Sequence, residues 1–126
     1  MPDVTLTNSE WYVLDCLWER SPLTVMELVE RLSGKVGWAK STTITTLRRM
    51  EEKGLVHCQV TGRTRHYCPA VERRQAVRRE TRSFLDKVYQ GSVGLMVSAM
   101  ADEKALSRAE IDELYDILRK AEEGMK

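Results

Sequence analysis

Cysteine is scarce in this chain. Its three thiols, Cys16, Cys58 and Cys68, are an odd number without C-x-x-C spacing, which argues against a disulfide framework and for reduced thiols, with Cys16 read as core. Long apolar runs are missing as well. None approaches the roughly 20 residues a helix needs to cross a bilayer, and Met1 to Thr7 carries neither a basic n-region nor an apolar h-region. A cytoplasmic protein without membrane insertion is expected. Histidines number only two, and no nucleophile elbow, phosphate loop or metalloprotease helix motif is present, so neither enzyme chemistry nor a cofactor is expected.

Net charge is nearly absent too, at +1 from 20 Lys/Arg and 19 Asp/Glu. That balance conceals a strong polarity. Residues 31 to 82 hold 13 Lys/Arg against 4 acids, an excess of nine positive charges, whereas the last 36 residues hold 5 bases against 8 acids. A field concentrated on one middle segment suggests a polyanion as partner, most simply duplex DNA. With 126 residues and 42% apolar content, the chain is one domain, or one small domain plus an assembly arm.

The local grammar predicts a helix from the capping box Thr7-Asn8-Ser9-Glu10, with Leu6 and Trp11 as its staple and Trp11, Leu14, Leu17 and Trp18 as its buried stripe. Ser21-Pro22 ends it. A second box, Thr24 to Glu27, opens a helix burying Leu28, Val29 and Leu32 and stopping near Gly34. A third helix is predicted from about Lys40 to Lys53, with Thr43, Leu47 and Met50 inward and Gly54 as its stop. Its first half, Ser41 to Thr46, is poor helix material, because threonine is β-branched and its hydroxyl competes for backbone bonds.

Leu55 to Val60 and Thr64 to Cys68 alternate as two strands around Thr61-Gly62-Arg63. Beyond Pro69, a long helix is predicted from Glu72 to Tyr89. A short apolar helix follows from Ser92 to Ala101, carrying Val93, Leu95, Met96, Val97 and Met100, then a linker from Asp102 to Leu106. A third box, Ser107 to Glu110, launches a last helix striped by Ile111, Leu114, Tyr115, Leu118 and Ala121. The expected fold is mainly α with a small β-hairpin: a winged helix-turn-helix DNA-binding domain over residues 1–71 and a helical dimerisation region over 72–126. Leu95, Met96, Ile111, Leu114, Tyr115 and Leu118 are the expected dimer contacts, since these apolar faces need a partner and a second copy is the simplest source.

For DNA, the expected contacts are Lys40, Ser41, Thr42, Thr43 and Thr45 at the start of the third helix, with Arg48 and Arg49 one to two turns on. Thr43 is the weakest of these, because the period also turns it inward. Ile44 lies beside the reading face, in reach of a thymine methyl or part of the core. Arg63 and Arg65 at the hairpin tip are expected to grip backbone or minor groove. Arg73, Arg74, Arg78, Arg79 and Arg82 spread around the fourth helix and cannot all face one duplex. If the hairpin turns at Gly62-Arg63, His57 lies opposite Cys68 with His66 diagonal to it. A metal there is conceivable, but a plain exposed strand face is favoured.

Taken together, Leu6 to Trp11, Val13-Leu14, Leu17-Trp18, Ser41-Thr42, Thr45, Leu47, Arg49, Lys53-Gly54-Leu55-Val56, Gly62-Arg63, Tyr67, Pro69, Phe84-Leu85, Gly91-Ser92 and Leu106-Ser107 to Glu113-Leu114 resemble the penicillinase and methicillin-resistance repressors, the BlaI/MecI/CopY-type regulators. The resemblance covers nearly the whole chain. It implies a homodimeric repressor of palindromic operators, with its third helix in the major groove and its C-terminal helices dimerising. In antibiotic-responsive members of that family, a membrane sensor-protease signals release and the repressor is cut in the apolar helix. The family's Asn-Phe scissile pair falls on Ala99-Met100 here, a departure that points to a different protease preference or another route of relief. Copper-responsive members carry paired C-x-C motifs, and no cysteine follows Cys68. Two other readings compete: a winged helix that docks proteins rather than specific DNA, and a ligand-responsive regulator with a pocket near Trp11, Trp18 and the C-terminal helices.

Overall fold

The computed structural model describes residues 6–103 and 105–125. Its elements run α1 (Asn8–Glu19), β1 (Leu23–Thr24), α2 (Val25–Val36), α3 (Lys40–Lys53), β2 (Val56–Thr61), β3 (Thr64–Pro69), α4 (Arg73–Tyr89), α5 (Val93–Asp102) and α6 (Arg108–Gly124). The chain forms two compact units, Met1–Thr81 and Arg82–Lys126, so the division falls inside α4. The N-terminal Met1 to Thr5 and Lys104 of the predicted linker lie outside the described residues.

In the first unit, α1 and α2 both begin with complete capping boxes. The Thr7 and Thr24 hydroxyls accept from Glu10 N and Glu27 N, and each glutamate accepts from its cap's own N–H at 2.9 Å. These reciprocal bonds satisfy donors a helix start would otherwise leave open. The glutamates respond. Hydrogen bonds from Thr24 hold the exposed Glu27 below the ordinary carboxylate range.

Three helices pack on a three-stranded antiparallel sheet of order β1-β3-β2. The core comprises Val13, Leu14, Cys16 and Leu17 of α1, Leu23, Leu28 and Leu32, Leu47 and Met50 of α3, Leu55, Val56 and Tyr67. Strand β1 was not expected from the sequence. Leu23 pairs with Tyr67 and Thr24 with His66, which ties the helix-turn-helix directly to the wing. Helix α2 also outruns the predicted stop at Gly34: it ends at Val36, and Gly37 at φ 71° closes it, its N–H bonded to Leu32 O and Ser33 O. Only glycine takes that left-handed backbone without penalty. On α1, Val13 and Cys16 take the fully buried places, while Trp11 and Trp18 are half-buried at the rim.

Thr43 is fully buried, and its hydroxyl has no hydrogen-bond partner among the described residues. An orphaned buried hydroxyl costs about 1–3 kcal/mol. Thr43→Val, which keeps the shape and removes the polar group, is therefore expected to stabilise the protein by about 1 kcal/mol. Chemical denaturation checks it, and a loss of stability would count against the packing described.

The second unit holds the end of α4, then α5 and α6. Leu85 is its buried residue on α4. Ser92 caps α5, accepting from Leu95 N at 3.1 Å, and Ser107 with Glu110 forms the third capping box. Neither α5 nor α6 has a single buried residue. Leu95, Tyr115, Ile117 and Leu118 each expose more than half of their surface. No helix is long and apolar enough to cross a membrane among the described residues.

Candidate nucleic-acid interface

Helix α3 is positioned from both ends. At its C-terminus, Gly54 at φ 78° turns the chain into β2, and Lys53 Nζ reaches Glu10 Oε2 at 2.6 Å. This ion pair fastens the end of α3 to the start of α1. Burial pushes the Glu10 carboxyl up, but Lys53 and the Thr7 bonds outweigh it and hold the group below the ordinary range.

At its N-terminus, α3 differs from its neighbours. Ala39 occupies the cap position with no side-chain hydrogen bond, and the first turn contains no acid. Thr42 N and Thr43 N bond back to Ala39 O. The N–H groups of Lys40 and Ser41 head the helix with a positive partial charge and a lysine beside them, a disposition that suits a phosphate oxygen. Lys40, Ser41, Thr42, Thr45, Arg48 and Arg49 are all exposed. Thr43 does not share that surface: the helical period that buries Leu47 and Met50 buries it as well, so it is removed from the reading face. Ile44 is half-buried. Thr46 spends its hydroxyl on Thr42 O at 2.7 Å, which satisfies a threonine inside the helix.

The wing is a tight hairpin. Thr61 pairs with Thr64, leaving Gly62 and Arg63 as the turn, with Gly62 at φ 64°. Arg63 thus stands at the tip. Arg65 lies one pair lower, opposite Val60, on the same strand face as buried Tyr67. The nearby Tyr67 hydroxyl favours the charged guanidinium and raises its pKa, with Cys58, Tyr67 and Glu51 adding to the attraction. Burial in turn raises the Tyr67 phenol. Both arginines are exposed, but only Arg63 points its backbone out at the turn.

On the other strand face, His57 pairs with Cys68 and Gln59 with His66, the register the sequence implied. Among the described residues no group of three or more His, Cys, Asp or Glu is placed to hold a metal ion. The open start of α3 has a plain signal in the sequence: Trp38-Ala39-Lys40 has no Ser, Thr, Asp or Asn where the other capped helices have one. Tyr12 and Trp38 meet edge-on beside that start, with ring centroids 6.1 Å apart.

Residues 6–120 match the family described as penicillinase repressor. The penicillinase repressor of Bacillus licheniformis is 30% identical over 113 residues, covering 90% of this chain and 88% of that protein. The methicillin resistance regulatory protein MecI of Staphylococcus aureus (strain N315) is 25% identical over 115 residues, 91% of this chain and 94% of its own. In three dimensions, the solution structure of monomeric Bacillus licheniformis BlaI in complex with the blaP half-operator aligns with a TM-score of 0.51 at 25% identity, covering 57% of this chain and 88% of that one. A winged helix joined to helices of this length, matched along nearly its whole sequence, leaves one assignment: the chain belongs to the penicillinase repressor family.

Proposed function

We propose that this protein is a DNA-binding transcriptional repressor that acts in the cytoplasm as a homodimer on palindromic operators. The observation that carries this reading is α3 itself: an uncapped helix start flanked by Lys40, Ser41, Thr42 and Thr45, held at the surface of a winged-helix unit whose relative is solved on a half-operator. In this reading α3 enters the major groove. Its backbone N–H groups and Lys40 take phosphate, while the short hydroxyl side chains and Arg48 or Arg49 face base edges. Residues 1–71 carry DNA binding and 72–126 dimerisation, through Leu95, Met96, Ile111, Leu114, Tyr115 and Leu118.

Relief by proteolysis between Ala99 and Met100 belongs to the same proposal, with a membrane sensor-protease as the source of the cut. Met100 is exposed and α5 buries none of its residues, so unwinding this helix to fit a protease groove forfeits little packing. Mass spectrometry of the chain from induced cells tests it. An intact chain during derepression removes proteolysis from the mechanism.

Fluorescence anisotropy with a palindromic duplex and its scrambled counterpart tests the main reading. Preference for the palindrome by a factor of at least about 10³ is expected, and equal affinity would sink specific repression. The wing gives a separate prediction. Arg63→Ala is expected to weaken binding to both duplexes by a similar factor of about five to ten and to flatten the salt dependence by about one unit of slope. An unchanged slope would take Arg63 off the phosphate backbone.

A further inference from the structure

Away from α3 and the wing, the first unit contains a cleft of about 300 Å³ lined by Asp15, Trp18 and Glu19 of α1, Lys35 of α2 and Arg73 of α4. Two acids and two bases surround one indole. The indole is held from two sides: Trp18 Nε1 donates to Val71 O at 2.9 Å, and its ring meets Trp11 edge-on at 5.5 Å. Val71 precedes Arg73 by two residues, so the bond that fixes the indole also fixes the start of α4 at the cleft.

The four charges are not equally committed. Glu19 is matched by Lys35 at 3.1 Å and by Arg31 at 3.7 Å. Lys35 keeps further N–H donors beyond that one contact. Asp15 and Arg73 have no ion-pair partner among the described residues. A carboxylate and a guanidinium, both uncommitted, therefore share a concave site with a fixed aromatic wall.

We infer that this cleft binds a small zwitterion, an amino acid with an apolar or aromatic side chain. Its carboxylate lies between Arg73 and Lys35, its ammonium group meets Asp15, and its side chain rests on Trp18. The other ligand classes fail on charge. A simple anion meets Asp15 and Glu19, a simple cation meets Lys35 and Arg73, and a neutral apolar molecule strips water from charges it cannot pair. The volume lies at the small end of ligand pockets, suited to one amino acid rather than a larger molecule. None of the lining residues belongs to the proposed DNA contacts, so the site stands independently of what α3 reads.

Isothermal titration calorimetry of the full chain with L-phenylalanine, 3-phenylpropionate and phenethylamine tests the inference. Phenylalanine is expected to bind at least about tenfold tighter than either singly charged analogue. Asp15→Asn is expected to bring 3-phenylpropionate level with phenylalanine, and Arg73→Gln to bring phenethylamine level. Unchanged thermal unfolding of both variants shows that the fold survives, and the Trp18 indole N–H resonance is expected to shift with phenylalanine. No saturable heat up to about 10 mM phenylalanine, equal binding of either analogue, or an unmoved Trp18 resonance overturns the assignment.

Discussion

Replacing Leu114 and Leu118 together by Glu is expected to leave single chains in analytical ultracentrifugation and to weaken binding to a palindromic operator by at least about a hundredfold. The size follows from linkage. When two DNA-binding units are joined, the second binds as an intramolecular event, and losing the joint can cost 10²–10⁴ in overall affinity without touching a single DNA contact. Affinity for a half-site should therefore stay close to that of the unaltered chain.

The choice of residues rests on geometry and exposure. Ile111, Leu114, Leu118 and Ala121 recur at three- and four-residue spacing, one stripe of α6. Leu118 is 63% exposed, and α6 buries nothing. Burying a leucine fully contributes about 1.5–3 kcal/mol, so a second copy covering both residues gains several kcal/mol that the glutamates forfeit. Because neither side chain belongs to the core of the first unit, its fold has no reason to respond. A variant that still sediments as a dimer would move the interface away from α6, and one that dimerises normally yet loses half-site affinity would contradict the separation of roles.

What was legible in the sequence was the chemistry that is complete within a few residues. A capping box needs only a hydroxyl and a glutamate three positions apart, and all three were readable: Thr7 with Glu10, Thr24 with Glu27 and Ser107 with Glu110. Gly54 as the stop of α3 and the hairpin turn at Gly62-Arg63 were equally local. The features that escaped depend on distant partners. Strand β1 is two residues long and is a strand only because β3 lies beside it. Helix α2 passes Gly34 because Val36, two residues later, still finds the core to pack on. The helical period puts Trp11 and Trp18 on one stripe with Leu14 and Leu17, yet α1 packs against α2, α3 and β3, and Val13 and Cys16 fit those close approaches better than an indole does. For the candidate site, the basic segment and the threonine-rich helix were visible in composition. The inward turn of Thr43 was legible in the helical period and is borne out by its burial, whereas the placing of Arg65 beside Tyr67 required coordinates.

Lys53→Met is expected to destabilise the protein by about 2 kcal/mol at neutral pH, and by less as the solution is acidified. Glu10 has only 5% of its side chain exposed, while Lys53 retains 48%. Removing one partner of a fully buried pair costs about 3–5 kcal/mol, but water reaches this lysine, so the smaller figure applies. The sign with pH follows from the direction of the shift. In the native chain Glu10 lies below the ordinary carboxylate range, so its contribution is present above the unfolded-state pKa and is lost as pH falls through the folded one. Without Lys53, burial dominates and the carboxyl rises instead. The variant then recovers on protonation at a higher pH than that at which the native chain loses its ion pair, so the two stability curves approach one another as pH falls through the window between those two points. Glu10→Gln added to Lys53→Met is expected to restore part of the loss at neutral pH, because glutamine can still accept from Thr7 N in the capping box while carrying no charge to strand. Urea unfolding of the three proteins across pH 4 to 8 checks all of this. A deficit in Lys53→Met that stays constant with pH, or that the second substitution deepens, would mean that α3 is held to α1 by packing and not by this charge pair.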